Sequence, residues 1–197
     1  LPYDVKALGF ELPYYGMEAE EQFPQLLERK IYTYNCLSAC VTYPGALLGY
    51  EDYAEAANDP AVARLLEEVS QSLNQCLSRR YGITEKEQAD FSVRAVRKFQ
   101  NRSIRDTIER NARDVQRKLG PKERMIAPLL IMKEQGCSTA ALEEVTAAAV
   151  LYGERTGTLK LNGETVKNPA ERLDELLPDL DGEMLERIRE EYRKLKA

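Results

Sequence analysis

Apolar and polar positions follow a helical rather than a strand period over most of the chain. The segment from Glu28 to Pro44, "ERKIYTYNCLSACVTYP", shows what this leaves unexplained. As a regular helix of about 100° per residue, it gathers Leu27, Ile31, Tyr34 and Val41 into one stripe expected to face the core. Ser38 falls near the middle of that stripe, and Lys30 and Asn35 lie on its two edges. An unpaired buried polar group costs roughly 1–3 kcal/mol, so these three residues are either paired internally or facing a pocket. Periodicity alone leaves both readings open.

Helix punctuation is dense in the rest of the chain. Asp59-Pro60 predicts an N-cap and first-turn proline for a helix to about Tyr81, with Gly82 as its stop. Thr84 with Glu87 predicts a capping box and a helix through about Phe99. Ser103 with Asp106 predicts a further helix ending at Leu119, after which Gly120 stops it and Pro121 starts another through about Gln135. An alanine-rich helix is expected from Ser138 to about Leu151. The one strand signal is "TLKLNGETV", Thr158 to Val166, with Asn162-Gly163 as a hairpin turn. Asn168-Pro169 re-enters helix, and a charged amphipathic helix from about Gly182 to Lys196 closes the chain. The expected fold class is mainly α, with one small β-hairpin.

Composition narrows the function classes. The 197 residues, 43% apolar and 31% charged, suit one soluble domain over residues 1–197. No apolar run approaches the ~20 residues of a membrane span and no signal sequence is visible, so a cytoplasmic location and no membrane partner are expected. A formal charge of −5 and a pI near 5.1 oppose non-specific binding to nucleic acid. Cys36, Cys40, Cys76 and Cys137 form no CxxC pair and are expected to be free thiols. The chain has no histidine, which removes the commonest metal ligand, and no metal site is expected. It begins at Leu1, in "LPYDVKALG", which suggests a piece of a longer polypeptide. It carries neither GxGxxG nor GxxxxGK[ST], so any dinucleotide is expected to be bound elsewhere.

Two stretches carry a resemblance. "ERKIYTYNCLSA", followed by "PGALLGYEDYAEAANDPAV", resembles the C-terminal domain of the polyol-specific long-chain dehydrogenases, the mannitol dehydrogenase family. The family's K-x-x-x-x-N-x-x-H motif is matched by Lys30 and Asn35, with Ser38 in place of the histidine. "RKFQNRSIRDTIERNARDVQRKLGPKERMIAPLL" is similar to its R-F-x-N-P-x-x-x-D-x-x-x-R segment, except that Arg102 replaces the proline after Asn101. The likeness runs from about Leu1 to Tyr152 and is strongest to members acting on a polyol phosphate.

The resemblance implies an all-α substrate domain that works beside its own N-terminal dinucleotide-binding domain, absent from this chain. NAD or NADP would be bound mainly by that domain, and the substrate would be a sugar alcohol, its phosphate or the corresponding ketose. Lys30 would be the general acid/base, with a lowered pKa, and Asn35 would donate a hydrogen bond to the developing alkoxide. Ser38 would contact substrate, though it is shorter than the histidine it replaces. Arg110 and Lys118 would contact substrate hydroxyls or an anionic end group. Arg102, Arg105, Arg113 and Arg117 read instead as a solvated face. The isolated chain is expected to be inactive. The alternative is an inactive relative that serves as a sugar-phosphate-binding or interaction module, because Ser38 stands where the family has histidine.

Overall fold

A computed structural model describes residues 22–197; the segment "LPYDVKALG" lies outside the described residues. The chain folds as a helical domain in the order α1 (Phe23–Lys30), a π turn (Ile31–Asn35), α2 (Cys36–Leu47), α3 (Tyr53–Ala57), α4 (Pro60–Tyr81), α5 (Glu85–Phe99), α6 (Ile108–Ala112), α7 (Val115–Lys118), α8 (Ile126–Glu134), α9 (Ala140–Arg155), β1 (Lys160–Leu161), β2 (Glu164–Thr165), a 3₁₀ turn (Pro169–Arg172), α10 (Leu173–Leu176) and α11 (Gly182–Lys196). The α2 helix runs through the middle, against α9, α6 and α4, and α11 covers α9. Among the described residues no helix is long and apolar enough to cross a membrane.

Local chemistry sets several boundaries where the sequence predicts them. The Asp59 side chain accepts from the Ala61 and Val62 amides to open α4, and Gly82 closes it at φ 65°. Both halves of the Thr84–Glu87 capping box are formed. Asn162 and Gly163 turn the hairpin at φ 53° and 85°, pairing Lys160 with Thr165 as an Asn-Gly turn does. The last helix, Gly182–Lys196, is capped by Asp181. The cysteines are free, with Cys36, Cys40 and Cys76 buried and Cys137 half-buried.

Three expectations are corrected. The single helix expected from Ser103 to Leu119 is two short ones, because Thr107 caps α6 through the Arg110 amide and Asp114, at φ 59°, breaks the run before α7. Ser103 instead donates its amide to the Asn101 side chain at 2.9 Å, inside a turn. The helix expected to start at Pro121 starts at Ile126, after tight turns in which Gly120 donates to Arg117 and Glu123 to Gly120. The stripe Leu27, Ile31, Tyr34, Val41 holds only in part: Val41 is fully buried and Leu27 is 45% exposed, while Ile31 and Tyr34 are half-buried against the core. Tyr32, Cys36, Leu37 and Cys40 take the core with Val41, since the π turn adds one residue to the helical repeat and rotates the residues after it.

Helix α2 lies close to its neighbours at one point. A Cβ placed on Gly45 would come 2.8 Å from the Ala56 Cβ and 3.1 Å from Ile108, so glycine there lets α2 meet α3 and α6. Those elements are tied together by the Asp52–Thr107 bridge, with Tyr53 donating its amide to the Asp106 carbonyl at 3.1 Å and Ile108 to Glu51 at 2.9 Å. This clamp places Tyr53 and Arg110 beside α2.

Candidate active site

A regular helix sets residues five apart about 140° from each other, which would point Lys30 and Asn35 in different directions. The π turn changes that relation. The Cys36 amide reaches the Ile31 carbonyl, five residues back, and this longer repeat stacks residues five apart about one turn above each other. Lys30 directly precedes the π turn and Asn35 is its last residue, so the two lie nearer in direction than a regular helix would set them. Ser38 comes three residues after Asn35, about 4.5 Å further along the axis. Lys30 is exposed, and Asn35 and Ser38 are half-buried.

The π turn is fastened from α5. Thr33, at its centre, and Gln88 are both fully buried, and the Gln88 Nε2 donates to the Thr33 Oγ1 at 2.8 Å. Arg29 completes the clasp, donating from Nε to the Gln88 Oε1 at 2.8 Å and from a terminal nitrogen to the Glu87 carbonyl at 3.1 Å. Each buried amide atom of Gln88 thus has a partner, as a buried polar network requires.

Ser38 meets Tyr53. The buried Tyr53 phenol donates to the Ser38 Oγ at 2.8 Å, and its ring stands edge-on to Phe99, with centroids 5.7 Å apart. Burial pushes the Tyr53 hydroxyl above its ordinary range, so it stays protonated and available to donate. Thr42 donates to the Ser38 carbonyl at 2.7 Å.

Beside Ser38 opens a cleft of about 90 Å³ lined by Thr42, Tyr43, Arg110, Asn111, Lys118 and Arg124 among others. Arg110 is held there by Asp106, whose carboxylate takes both guanidinium branches, with Nε at 2.6 Å. That pairing brings the Asp106 carboxyl down to about 2. Lys118 is 8% exposed and donates to the Asn111 carbonyl at 2.5 Å. Burial first, then the nearby Arg124 and Arg117, pulls its ammonium down to about 8.

The structure thus brings Ser38, Arg110 and Lys118 into one cleft, while Lys30 and Asn35 lie on the preceding turns of the same helical segment and do not line it. Tyr53, Arg124, Tyr43 and Gln88 are additions that spacing could not supply, since each reaches the site from another element or from the core side of α2. Among the described residues no cluster of histidine, cysteine, aspartate or glutamate could hold a metal ion.

Comparison with known proteins agrees with this architecture. The sequence model described as mannitol dehydrogenase C-terminal domain matches residues 24–176. The mannitol-1-phosphate 5-dehydrogenase of Exiguobacterium sibiricum is 31% identical over 152 residues, covering 77% of this chain and 40% of the relative. That of Enterococcus faecalis is 35% identical over 132 residues, covering 67% and 34%. Each match therefore spans well under half of the relative's length. The structure of Pseudomonas fluorescens mannitol 2-dehydrogenase, in ternary complex with NAD and D-mannitol, superposes on 92% of this chain and 40% of that one, with a TM-score of 0.69 at 22% identity, which supports the fold. The helical domain with its π turn and cationic cleft belongs to the mannitol dehydrogenase C-terminal domain family.

Proposed function

We propose that this chain is the substrate half of an NAD- or NADP-dependent dehydrogenase of a sugar alcohol or its phosphate, with Lys30 as general acid/base and Asn35 as alkoxide donor. The observation that supports this reading is the π turn, whose longer repeat draws a lysine and an asparagine five residues apart closer in direction, next to the helix whose Ser38 lines a cationic cleft. The described residues contain one two-stranded sheet and no alternating strand–helix array, so a dinucleotide would be held by a separate domain. Its nicotinamide, when bound, supplies the hydride acceptor.

The residues of this chain handle the proton and the oxygen. As a neutral amine, Lys30 takes the hydroxyl proton of the carbon being oxidised, and returns it in the reverse direction. Lys30 is exposed, open to a substrate brought against this face. The Asn35 amide donates to the oxygen as negative charge develops there. Ser38, with its hydroxyl fixed by Tyr53, and Arg110 and Lys118 hold the remainder of the substrate.

A second reading rests on that same Tyr53–Ser38 bond: the position is satisfied internally, as a binding module without turnover would allow. The experiment is an assay of the full-length polypeptide with NAD and NADP against mannitol, mannitol 1-phosphate and the corresponding ketoses. Turnover supports the dehydrogenase; binding of these compounds without turnover supports the module. This chain alone is expected to give no turnover, and turnover by it would contradict the division of labour between two domains.

A further inference from the structure

The hydroxyl of Ser38 is engaged on one side only. Its Oγ accepts from the Tyr53 phenol at 2.8 Å, and among the described residues it donates to no acceptor. A serine or threonine in a helix commonly returns its proton to a carbonyl three or four residues back. Thr42 does so on Ser38, Thr146 on Leu142 and Ser78 on Gln75, at 2.7, 2.7 and 3.0 Å. Ser38 makes no such bond, and it lines the cleft that Arg110 and Lys118 share.

The direction of the Tyr53 bond follows from its surroundings. Burial holds the proton on the phenol. The phenol lies 3.4 Å from the Ser38 carbonyl, which Thr42 already holds, so the Ser38 Oγ at 2.8 Å is the better acceptor. The ring has little room to swing away: it is 5% exposed and stands edge-on to Phe99, which meets the Tyr34 ring edge-on at 4.9 Å. Its backbone is held as well. The Tyr53 amide donates to the Asp106 carbonyl at 3.1 Å, while the Asp106 carboxylate takes Arg110. One residue therefore ties the place of Tyr53 to that of Arg110.

We propose that Tyr53 is a positioning residue that turns the Ser38 proton into the cleft, so that Ser38 meets the substrate as a one-way hydrogen-bond donor. The inference rests on the dehydrogenase reading above and adds a specificity determinant to it. A hydroxyl that accepts from a phenol is polarised, which strengthens the bond it donates in turn. Without the phenol, the serine hydroxyl can rotate and return its proton to the helix carbonyls behind it. The substrate atom facing Ser38 is then an oxygen that accepts, of a hydroxyl or a carbonyl, and a group that only donates is rejected there. The role of Ser38 is thus set from α3, an element outside its own helix.

The test is a double-mutant cycle on the full-length polypeptide, assayed with mannitol and mannitol 1-phosphate. Tyr53→Phe keeps the ring against Phe99 and deletes only the phenol oxygen. Tyr53→Phe and Ser38→Ala should each lower kcat/KM about 5–20-fold, chiefly through KM, the effect of one hydrogen bond. The two losses should not add: in the Ser38→Ala background, Tyr53→Phe should change kcat/KM less than twofold. A purely structural role for Tyr53 would give the same loss in both backgrounds, and that additivity would overturn the proposal. Wild-type kcat/KM in Tyr53→Phe would overturn it too, and in either case turnover by the wild type leaves the dehydrogenase reading standing. If the wild type turns over neither polyol, that reading fails, and calorimetric titration with mannitol 1-phosphate decides the proposal. Binding weakened by each single variant and no further in the double supports it; equal binding in wild type and variants, or no binding by the wild type, overturns it.

Discussion

Replacing Lys118 by methionine isolates the cost of placing a cation in the cleft. The lysine is buried beside Arg124 and Arg117, and its pKa falls from an ordinary 10.5 to about 8. Below pH 8 the folded and unfolded chains both carry the proton, and the folded state bears the whole penalty. Between pH 8 and 10.5 the unfolded chain binds more protons than the folded one, so this residue makes stability rise with pH; above 10.5 the penalty is gone. At 1.36 kcal/mol for each tenfold in proton affinity, the penalty is at most about 3 kcal/mol, and solvent at the cleft mouth reduces it to about 1–2 kcal/mol. Methionine keeps the apolar stem but loses the bond to the Asn111 carbonyl, a cost of about 1 kcal/mol that nearly offsets the relief at pH 7. The expected result is near-equal urea midpoints at pH 7. By pH 10 the wild type should have gained about 1–2 kcal/mol relative to Lys118→Met, with unchanged m-values. Parallel pH dependence in the two chains, or a relative loss by the wild type, would refute the argument. A cation kept at this cost fits a role in function rather than stability.

The same geometry sets three other expectations. Gln88→Met removes the clasp on the π turn, taking the donor from the Thr33 hydroxyl and the acceptor from the Arg29 Nε; it should cost about 1–3 kcal/mol and lower kcat more than it changes KM, read by urea unfolding and steady-state kinetics of the full-length protein. Arg187→Met strands the buried Glu143 carboxylate, which now accepts two bonds from Arg187 at 2.7 and 2.8 Å and one from Thr139 at 2.8 Å. Because Arg187 is partly exposed, the loss should be about 2–4 kcal/mol, seen as a lower thermal midpoint. Ser38→His places the family's residue against Tyr53 and should shift the ratio of kcat/KM between mannitol and its phosphate; an unchanged ratio would mean that position 38 does not touch substrate.

Much of the fold is legible in the sequence because capping is local chemistry. Asp59, Thr84 with Glu87, Asn162-Gly163 and Asp181 act on amides within a few residues of themselves, so their effect can be read from neighbours in sequence. The stretch from 101 to 125 departs from expectation partly because a partner far away in the chain shapes it: the Asp52–Thr107 bridge holds its first half where local signals favour helix, while the Arg117–Glu123 pair closes the turns before α8. The candidate site divides in the same way. Lys30, Asn35 and Ser38 stand out as polar residues in an apolar run, and Arg110 and Lys118 through the family pattern. The π turn between the first two is invisible to a period of 3.6, and that period also places Leu27 on the core side, where the structure leaves it 45% exposed. Tyr43 sits in a buried apolar row like any core tyrosine, and only the structure shows that its hydroxyl has no partner among the described residues.

The most direct measurement is the rate of polyol oxidation by full-length Lys30→Ala with saturating NAD and mannitol 1-phosphate. Loss of the general base should lower kcat about 10²–10⁴-fold, with KM changed only modestly because the cleft of Arg110, Lys118 and Arg124 is untouched. A variant that turns over at the wild-type rate would remove Lys30 from the chemistry.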